Sequence, residues 1–222
     1  MTADPSTVEL RDAHDKLADF YVEHLDGLLA RMPVERMMLD LFGEVTREAG
    51  LGPEIVDVGS GTGRLIPYLK GLGLSPRGVD LAPEMVRVAR RDHPGVDFRV
   101  GDLRALPFGD AELAGAVCWY SLIFLAPEDR PRAFAELARV VKPGGHVVIA
   151  AQDGDGSRQR RGKATGLGIE FDAYWMSADE LAERLTTAGF VPVFRGSRPP
   201  LDIERVPGNY VLAERKGAER KS

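Results

Sequence analysis

The sequence predicts an α/β fold with a doubly wound, mainly parallel sheet and an N-terminal helical cap. From residue 54 onward, short apolar segments alternate with amphipathic ones, which is the pattern of successive βαβ units. The run Val147–Ala151 is apolar at every position, as expected for a central strand that is buried on both faces. The predicted strands are Glu54–Val58, Pro76–Asp80, Val96–Val100, Leu113–Trp119, His146–Ala151, Val191–Arg195 and Asn209–Glu214.

Helical patterns occupy the chain before the first strand and most of the gaps between strands. The stretch from about Ser6 to Ala49 is helical in pattern and divides at Met32-Pro33. In the last helix, Ser177 and Glu180 have the spacing of a capping box. The helices between strands are predicted near Gly63–Gly71, Pro83–Arg91, Asp129–Val141 and Ala178–Ala188.

We predict a single domain, because no linker composition divides the chain. It comprises a helical cap over residues 1–50, an α/β core over residues 51–215 and a charged, frayed tail over residues 216–222. The segment from Gln152 to about Trp175 is rich in Gly, Asp and Arg, and we predict that it is irregular. A loop of this length inside a compact domain is usually functional or disordered.

Composition and charge exclude several classes of function. The chain has 222 residues, 44% of them hydrophobic, and a formal net charge of −5, which argues against bulk nucleic-acid binding. The single cysteine, Cys118, excludes a disulfide framework, and the four histidines show no metal-ligand spacing. No signal peptide or membrane-spanning run is visible. We therefore expect a cytoplasmic monomer or homodimer with no membrane, nucleic-acid or metal partner.

The segment IVDVGSGTGRL, residues 55–65, places three glycines at alternate positions between a strand and a helix. Glycine allows a tight turn, and its missing side chain lets a ligand lie against the backbone at the start of the helix. The dinucleotide fingerprint G-x-G-x-x-G/A is not met, because its third small residue falls on Arg64. Asp57, two residues before the first glycine, favours a ligand with positive charge and would repel a pyrophosphate.

Two further carboxylates follow the next two predicted strands. Asp80 ends the second strand, where a carboxylate can bind ribose hydroxyls, although a helix N-cap is the alternative. Asp102 begins the stretch DLRALPF after the third strand and can accept from an adenine amino group. Together with LARVVKPGG at residues 137–145, these stretches resemble the class I S-adenosylmethionine-dependent methyltransferases, and most of all the small-molecule enzymes of the UbiE/biotin-synthesis type.

The resemblance implies a Rossmann-like sheet of about seven strands with the last strand antiparallel. It also implies S-adenosyl-L-methionine as the methyl donor and S-adenosyl-L-homocysteine (SAH) as the product. Asp57 and the glycine loop would hold the methionine part, Asp80 would bind the ribose, and Asp102 would recognise the adenine edge. The implied cofactor-binding residues are Tyr21, Asp57, Gly59, Ser60, Gly61, Gly63, Asp80, Leu81, Met85, Asp102, Leu103 and Trp119.

The catalytic residues are harder to predict, because a sulfonium already activates its methyl group and a base is needed only for a protonated acceptor. Many relatives place a histidine near Ile123, and this chain does not. In the first helix, His14, Tyr21 and His24 share one face with Leu10, Leu17 and Leu28, which indicates a face over a polar cleft. Ordinary packing of each histidine is the alternative. We predict His14 as the base and Tyr120 as a second catalytic residue.

Acceptor recognition is expected from aromatic and polar residues around the cleft. The predicted acceptor-binding residues are His24, Tyr120, Asp172, Tyr174 and Trp175. The four cations between residues 158 and 163 either bind an anionic substrate or belong to a solvated loop; they are Arg158, Arg160, Arg161 and Lys163.

The predicted function is methyl transfer by direct SN2 displacement to O, N or C of a small organic acceptor. A nicotinamide-dependent oxidoreductase is the alternative among enzymes, and the misfit at Arg64 speaks against it. A catalytically inactive, methyltransferase-like binding protein is the non-enzyme alternative, because no histidine occupies position 123.

Overall fold

The computed structural model describes residues 4–25, 27–202 and 204–217. Its strands follow the predicted order, and two further strands form a hairpin within the segment that we predicted to be irregular. In chain order the strands are β1 (Glu54–Val58), β2 (Ser75–Asp80), β3 (Phe98–Val100), β4 (Leu113–Trp119), β5 (Val141–Gln152), β6 (Arg158–Arg161), β7 (Phe171–Tyr174), β8 (Phe190–Arg198) and β9 (Gly208–Arg215).

Seven of these strands form one sheet in the order β3-β2-β1-β4-β5-β9-β8. Strands β1 to β5 are parallel to one another, and β9 runs antiparallel to both β5 and β8. Both the mainly parallel sheet and the antiparallel strand are therefore confirmed. The order reverses at β1, which pairs with β2 on one side and β4 on the other. Open α/β sheets bind ligands beyond the carboxyl ends of the strands at such a reversal.

The predicted helices are also confirmed, with small shifts at their ends. The third helix, for example, begins three residues later than predicted, after the turn that holds Gly63. The helices are α1 (Pro5–Leu25), α2 (Pro33–Glu48), α3 (Ile66–Gly71), α4 (Pro83–Asp92), α5 (Arg130–Val140) and α6 (Ala178–Thr187), and a 3-10 turn over Leu28–Arg31 joins the first two.

The prediction that residues 152–175 are irregular is wrong, because β6 and β7 pair as an antiparallel hairpin. The sequence of β6, RQRR, has no apolar alternation, and charges stabilise the pairing instead. Arg160 lies 3.2 Å from Asp172, directly opposite, and 2.9 Å from Glu170. Charged pairs across a hairpin are invisible to a prediction that relies on apolar periodicity.

The predicted capping box at α6 forms only in part. The Ser177 hydroxyl accepts from the Glu180 amide at 3.1 Å, as predicted. The Glu180 carboxylate does not return to the cap; it accepts from Arg130 at 2.6 Å and from Arg184 at 2.7 Å. A buried arginine therefore takes the carboxylate that a complete capping box would use.

The sheet is buried on both faces, and α1 lies apart from it. Leu39 and Phe42 of α2 pack with Val148 and Leu212 of the sheet in one cluster, whereas Leu17 of α1 belongs to a cluster with residues of α4 and β7. The two helices assigned to the cap therefore have different surroundings.

Of the predicted tail, residues 218–222 lie outside the described residues. In the part of the chain that the structure describes, no helix combines the length and apolarity needed to cross a membrane.

Candidate functional site

A cavity of about 360 Å³ opens at the carboxyl ends of the parallel strands, under α1 and the β6–β7 hairpin. Its wall contains the loops that follow β1, β2 and β4, together with residues of α1 and of the hairpin. The topology thus gathers segments that are far apart in sequence. The predicted site residues that line the cavity are His14, Tyr21, Gly59, Ser60, Gly61, Asp80, Leu81, Met85, Asp102, Leu103, Trp119, Tyr120, Asp172 and Tyr174.

Two predicted acceptor-binding residues, His24 and Trp175, do not line this cavity. His24 is exposed, and its ring stacks on Phe20 with centroids 3.9 Å apart. An α-helix turns by about 100° per residue, so the ten residues from His14 to His24 amount to about 1000°, which is roughly 80° short of three full turns. His24 therefore points about 80° away from His14, which lines the cavity. Trp175 packs against Gly154, where an added Cβ would lie 2.7 Å from the Cβ of Trp175. The structure therefore does not bring His24 or Trp175 to the cavity with the other predicted acceptor-binding residues.

Two glycines of the loop, Gly61 and Gly63, are needed for different physical reasons. Gly61 lines the cavity with a φ of 53°, and an added Cβ would meet only the sulfur of Met85, at 3.9 Å. Gly63, with a φ of 83°, lies behind the wall, where an added Cβ would be 2.6 Å from His93 and 2.9 Å from Phe98. Gly61 thus leaves room for a ligand, whereas Gly63 is required by packing. The cofactor contact implied for Gly63 has no support in its position.

Asp80 joins the glycine loop to the end of β2. Its Oδ2 accepts from the Gly61 amide at 2.8 Å, and its Oδ1 accepts from the Ala82 amide at 2.9 Å. Ala82 is the N-cap of α4, so Asp80 does not cap that helix through the N2 or N3 amide. Burial raises the pKa of Asp80, and the two amide bonds and His14 oppose that shift. The carboxylate therefore positions the loop and also faces the cavity.

Asp57 lies beneath the glycine loop rather than on the cavity wall. It is 1% exposed, and its Oδ1 has no hydrogen-bond partner among the described residues. Burial raises its pKa to about 7, and the nearby charge of Arg64 opposes that shift. A buried carboxylate without a partner is unfavourable, so a cation bound near the loop would relieve it.

Asp102 is held by an arginine that sequence reasoning did not single out. Arg104 donates to Asp102 from Nε at 2.9 Å and from Nη2 at 2.6 Å. It also donates to Asp129 at 2.7 Å and to Thr7 of α1 at 2.9 Å. Burial alone would raise the pKa of Asp102, but the bonds from Arg104 outweigh it and the pKa is lowered. Arg104 therefore fastens α1 over this end of the cavity.

A buried polar network lies behind Tyr120, and no local sequence pattern indicates it. Glu35 of α2 is fully buried and accepts from Tyr210 at 2.6 Å and from the Nε of Arg198 at 3.0 Å. The Tyr120 hydroxyl lies 3.3 Å from the same carboxylate, and Arg198 also pairs with Glu204. Tyr120 has a φ of 58°, and burial raises its pKa to about 12. At physiological pH Tyr120 is therefore a hydrogen-bond donor rather than a base.

His14 has the properties of a neutral imidazole with one free nitrogen. Its Nδ1 lies 2.9 Å from the Leu10 carbonyl and donates to it, while its buried Nε2 has no partner among the described residues. Rings of Phe124 and Phe171 pack around it at 4.8 and 5.0 Å. Burial lowers the pKa of His14, and the charge of Asp80 opposes that shift. The free nitrogen is thus able to accept a proton or a hydrogen bond.

Part of the remaining wall is apolar, and two of its residues, Leu25 and Met32, were not singled out from the sequence. Leu25, Leu28 and Met32 line the cavity where α1 turns into α2. Gln152 at the end of β5 also lines the cavity, and its buried Oε1 has no hydrogen-bond partner among the residues that the structure describes. No group of three or more His, Cys, Asp or Glu side chains in the described ranges is arranged to hold a metal ion. The arrangement suits a small organic molecule with at least one hydrogen-bond donor.

Comparison with known proteins identifies relatives of the whole chain and of its central part. A family model described as "Methyltransferase domain" matches residues 55–145. The O-methyltransferase cnsE of Penicillium expansum is 30% identical over 204 residues, which cover 84% of this chain and 73% of that protein. A demethylmenaquinone methyltransferase of Renibacterium salmoninarum is 33% identical over 115 residues, which cover 52% of this chain. This chain spans only 46% of that second relative.

Among solved structures, the one described as the DhpI–SAH complex has the same fold. The TM-score is 0.70 at 20% sequence identity, and the match covers 98% of this chain and 100% of the other. At this level of identity the likeness concerns the fold alone. The matched span is nearly the whole chain and so takes in the residues of α1 and of the β6–β7 hairpin.

Proposed function

Because this chain belongs to the class I S-adenosylmethionine-dependent methyltransferases, we propose that it methylates an O, N or C atom of a small organic acceptor by direct displacement. The observation that carries the proposal is the unpartnered carboxylate of Asp57 beneath an open glycine loop. A nucleotide pyrophosphate would be repelled there. Family membership also overturns the alternative of a nicotinamide-dependent oxidoreductase.

The residues present fit the methyl donor. Its cationic amino-acid end suits the charge of Asp57, and the space above Gly61 admits a ligand against the backbone. Asp80 faces the cavity and has lone pairs left for ribose hydroxyls after accepting from two amides. When bound, S-adenosylmethionine supplies an activated methyl group and leaves as SAH.

For the adenine end we propose Asp102 and Leu103, with Leu81 and Met85 as apolar contacts. All four line the cavity, and Met85 is fully buried. Arg104 donates to Oδ1 of Asp102 from its amide and Nε and to Oδ2 from Nη2, which orients the carboxylate and leaves acceptor capacity on Oδ2. Ser60, whose buried hydroxyl has no partner among the described residues, is a further polar contact.

For the acceptor we propose the part of the cavity between the apolar wall and the ends of β4 and β5. The proposed acceptor contacts are Tyr120, Asp172 and Tyr174, which line the cavity, while Trp119 stays a proposed cofactor contact; the hydroxyl of Tyr120 is oriented by Glu35. The chain's task is to exclude water and to hold the acceptor in line with the methyl group, which can lower the barrier by roughly 7–11 kcal/mol at best.

Where the acceptor arrives protonated, we propose His14 as the base. Its Nε2 is unpaired and its imidazole is neutral, because burial lowers its pKa. Tyr120 is the alternative catalytic residue, as a hydrogen-bond donor to the acceptor.

We also propose that the protein acts in the cytoplasm without a nucleic-acid partner, as a monomer or homodimer; the net charge of −5 supports the absence of a nucleic-acid partner.

A donor-turnover assay tests the proposed function. The purified protein, incubated with S-adenosylmethionine and a panel of phenols, carboxylic acids and amines, should produce SAH at a rate that depends on one class of acceptor. Calorimetry with SAH and NADH provides the control for the cofactor. Binding of SAH without turnover of any acceptor would instead support an inactive, methyltransferase-like binding protein. Binding of NADH without SAH would contradict the proposal altogether.

A further inference from the structure

Gln152, at the end of β5, brings an amide oxygen to the wall of the cavity. This oxygen, Oε1, is buried and has no hydrogen-bond partner among the residues that the structure describes. A buried acceptor without a partner costs free energy, because it has lost its hydrogen bonds to water and gained none in return. A ligand that donates a hydrogen bond at this point would remove that cost. Gln152 is not among the acceptor contacts proposed above.

The strand register places Gln152 near the hydroxyl of Tyr120. Gln152 pairs with Gly208 of β9, and residues directly opposite each other in antiparallel strands have Cβ atoms about 5 Å apart on one face of the sheet. A Cβ at Gly208 would lie 3.2 Å from the Tyr120 hydroxyl oxygen. The Cβ of Gln152 therefore lies within roughly 8–9 Å of that hydroxyl. One glutamine side chain and one small group of a ligand together span this distance.

The proton of the Tyr120 hydroxyl is available to a ligand. Its neighbours Tyr210 and Glu35 lie 3.2 and 3.3 Å away, whereas an O–H···O bond is ordinarily about 2.5–3.0 Å long. The same oxygen of Glu35 already accepts from Tyr210 at 2.6 Å and from Arg198 at 3.0 Å. Tyr120 also has a φ of 58°, a costly conformation for a bulky residue that is typical of functional sites.

The network behind Tyr120 favours a neutral ligand group over an anionic one at this end of the cavity. It contains two carboxylates, Glu35 and Glu204, and one guanidinium, that of Arg198. All five N–H groups of Arg198 are used, because they donate to these two carboxylates and to the carbonyl of Pro199. A carboxylate on the ligand would therefore find no donor on Arg198, and the unbalanced negative charge would repel it.

We propose that Gln152 and Tyr120 form a subsite that binds a neutral hydroxyl group of the acceptor. This inference deepens the proposed function and rests on it, because it makes the acceptor a phenol or an alcohol. A hydroxyl group donates one hydrogen bond and accepts another, so it satisfies the Gln152 oxygen and the Tyr120 proton together. An ether or a carboxylate only accepts, and it leaves the Gln152 oxygen without a partner. Gln152 thus determines which acceptors are bound.

Phenol and its methyl ether, anisole, test the subsite, because only phenol donates a hydrogen bond. Each is titrated onto the SAH-loaded protein, and NMR measures the Kd. The wild type should bind phenol more tightly than anisole. Gln152→Met should weaken phenol binding by roughly threefold or more, the size of one neutral hydrogen bond, and leave anisole binding unchanged. Tyr120→Phe should weaken the binding of both ligands by similar factors, because both accept from the tyrosine.

Gln159→Met is the matched control, since Gln159 is the other glutamine of the chain and does not line the cavity. It should bind phenol, anisole and SAH like the wild type. The Kd of SAH should also be unchanged in Gln152→Met, because the subsite contacts the acceptor and not the donor. Melting temperatures near that of the wild type show that the variants are folded.

The subsite is overturned if Gln152→Met binds phenol as tightly as the wild type does. If that variant does not fold, the wild type decides alone: anisole or benzoate bound as tightly as phenol overturns the subsite, and so does a failure to bind phenol. In each of these cases, normal SAH binding and turnover with another class of acceptor would leave the proposed function standing. A wild type that does not bind SAH would overturn the proposed function and the subsite together.

Discussion

The carboxylate of Asp80 lies 2.8 Å from the amide nitrogen of Gly61, which precedes it by 19 residues in the chain. This single bond joins the turn after β1 to the end of β2 at the point where the strand order reverses. The backbone of the loop is therefore fixed by the same side chain that faces the ligand. Loss of that side chain should affect both the shape of the loop and the contacts of the ligand.

We expect Asp80→Asn to weaken the binding of SAH by about ten- to a hundredfold, or roughly 1.5–3 kcal/mol for a charge-assisted hydrogen bond. Asparagine keeps the shape of aspartate but has only one acceptor oxygen for two amide donors. Calorimetric titration measures the Kd. Glu84→Gln, at a half-buried residue in the first turn of α4, serves as the control. An unchanged Kd in Asp80→Asn would remove Asp80 from the ligand site.

Alanine substitutions at Gly61 and Gly63 should separate ligand binding from packing. Gly61→Ala adds a methyl group toward the cavity at a positive φ, so we expect modest destabilisation of about 1–2 kcal/mol and a loss of SAH binding. In Gly63→Ala the same backbone strain adds to an overlap with His93 and Phe98, and overpacking of this kind costs about 1–3 kcal/mol. Chemical denaturation and SAH titration of both variants measure the two effects. Equal stabilities would contradict the distinction.

Asp57 should make the stability of the unliganded protein depend on pH. Burial raises its pKa from 3.8 to about 7, so the folded state binds more protons than the unfolded state between these values. The protonated carboxyl is tolerated at low pH, and stability falls as the pH rises toward 7. At 1.36 kcal/mol per unit, the loss is at most about 4 kcal/mol above pH 7.

Asp57→Asn should therefore raise the melting temperature, and the gain should be larger at pH 8 than at pH 5. The same variant should bind SAH more weakly, because the ammonium group loses its counter-charge. Titrations of the wild type at pH 7 in buffers of different ionisation enthalpy should report a proton released on binding, and Asp57→Asn should not release it. A melting temperature that rises equally at both pH values would show that Asp57 is not protonated in the free protein.

His14 should affect turnover more than affinity for the donor product. A general base contributes about 10²–10⁴-fold, so His14→Phe should slow methyl transfer to a protonated acceptor by that factor while the Kd of SAH changes little. Because burial lowers the pKa of His14 below its ordinary value of 6.5, the wild-type rate should fall only at acidic pH, and the variant should lack this limb. A parallel loss of SAH affinity would make His14 a cofactor contact instead.

The fold, and the gathering of Asp80 and Asp102 at one cavity, could be predicted because each depends on local patterns. Apolar strands predict where the carboxyl edge of the sheet lies; Asp57 and Asp80 stand at the carboxyl ends of β1 and β2, and Asp102 comes two residues after β3. The structure does not bring His24 to the cavity, because His14 and His24 lie on opposite edges of the same helix face, about 80° apart. Sequence reasoning failed at the β6–β7 hairpin, because its strands are held by charges rather than by apolar alternation.

The network behind Tyr120 could not be predicted from one sequence. Glu35 and Arg198 are separated by 163 residues and meet only because α2 packs on the sheet next to β8 and β9. Glu35 lies in the first turn of α2, where an acidic residue is common because it interacts favourably with the helix dipole. Its sequence position therefore does not indicate that it is buried. Pairings of this kind depend on the tertiary fold.

Glu35→Gln should therefore destabilise the protein far more than a helix-dipole role would allow. The neutral side chain leaves the buried Arg198 with a weaker partner, and breaking a buried pair costs about 3–5 kcal/mol, against less than 1 kcal/mol for the dipole effect. Chemical denaturation measures the loss. Because replacing both charges by apolar groups is less costly than removing one, Glu35→Leu combined with Arg198→Met should recover part of the stability. Additive losses in the double variant would show that the two side chains do not stabilise the fold as a pair.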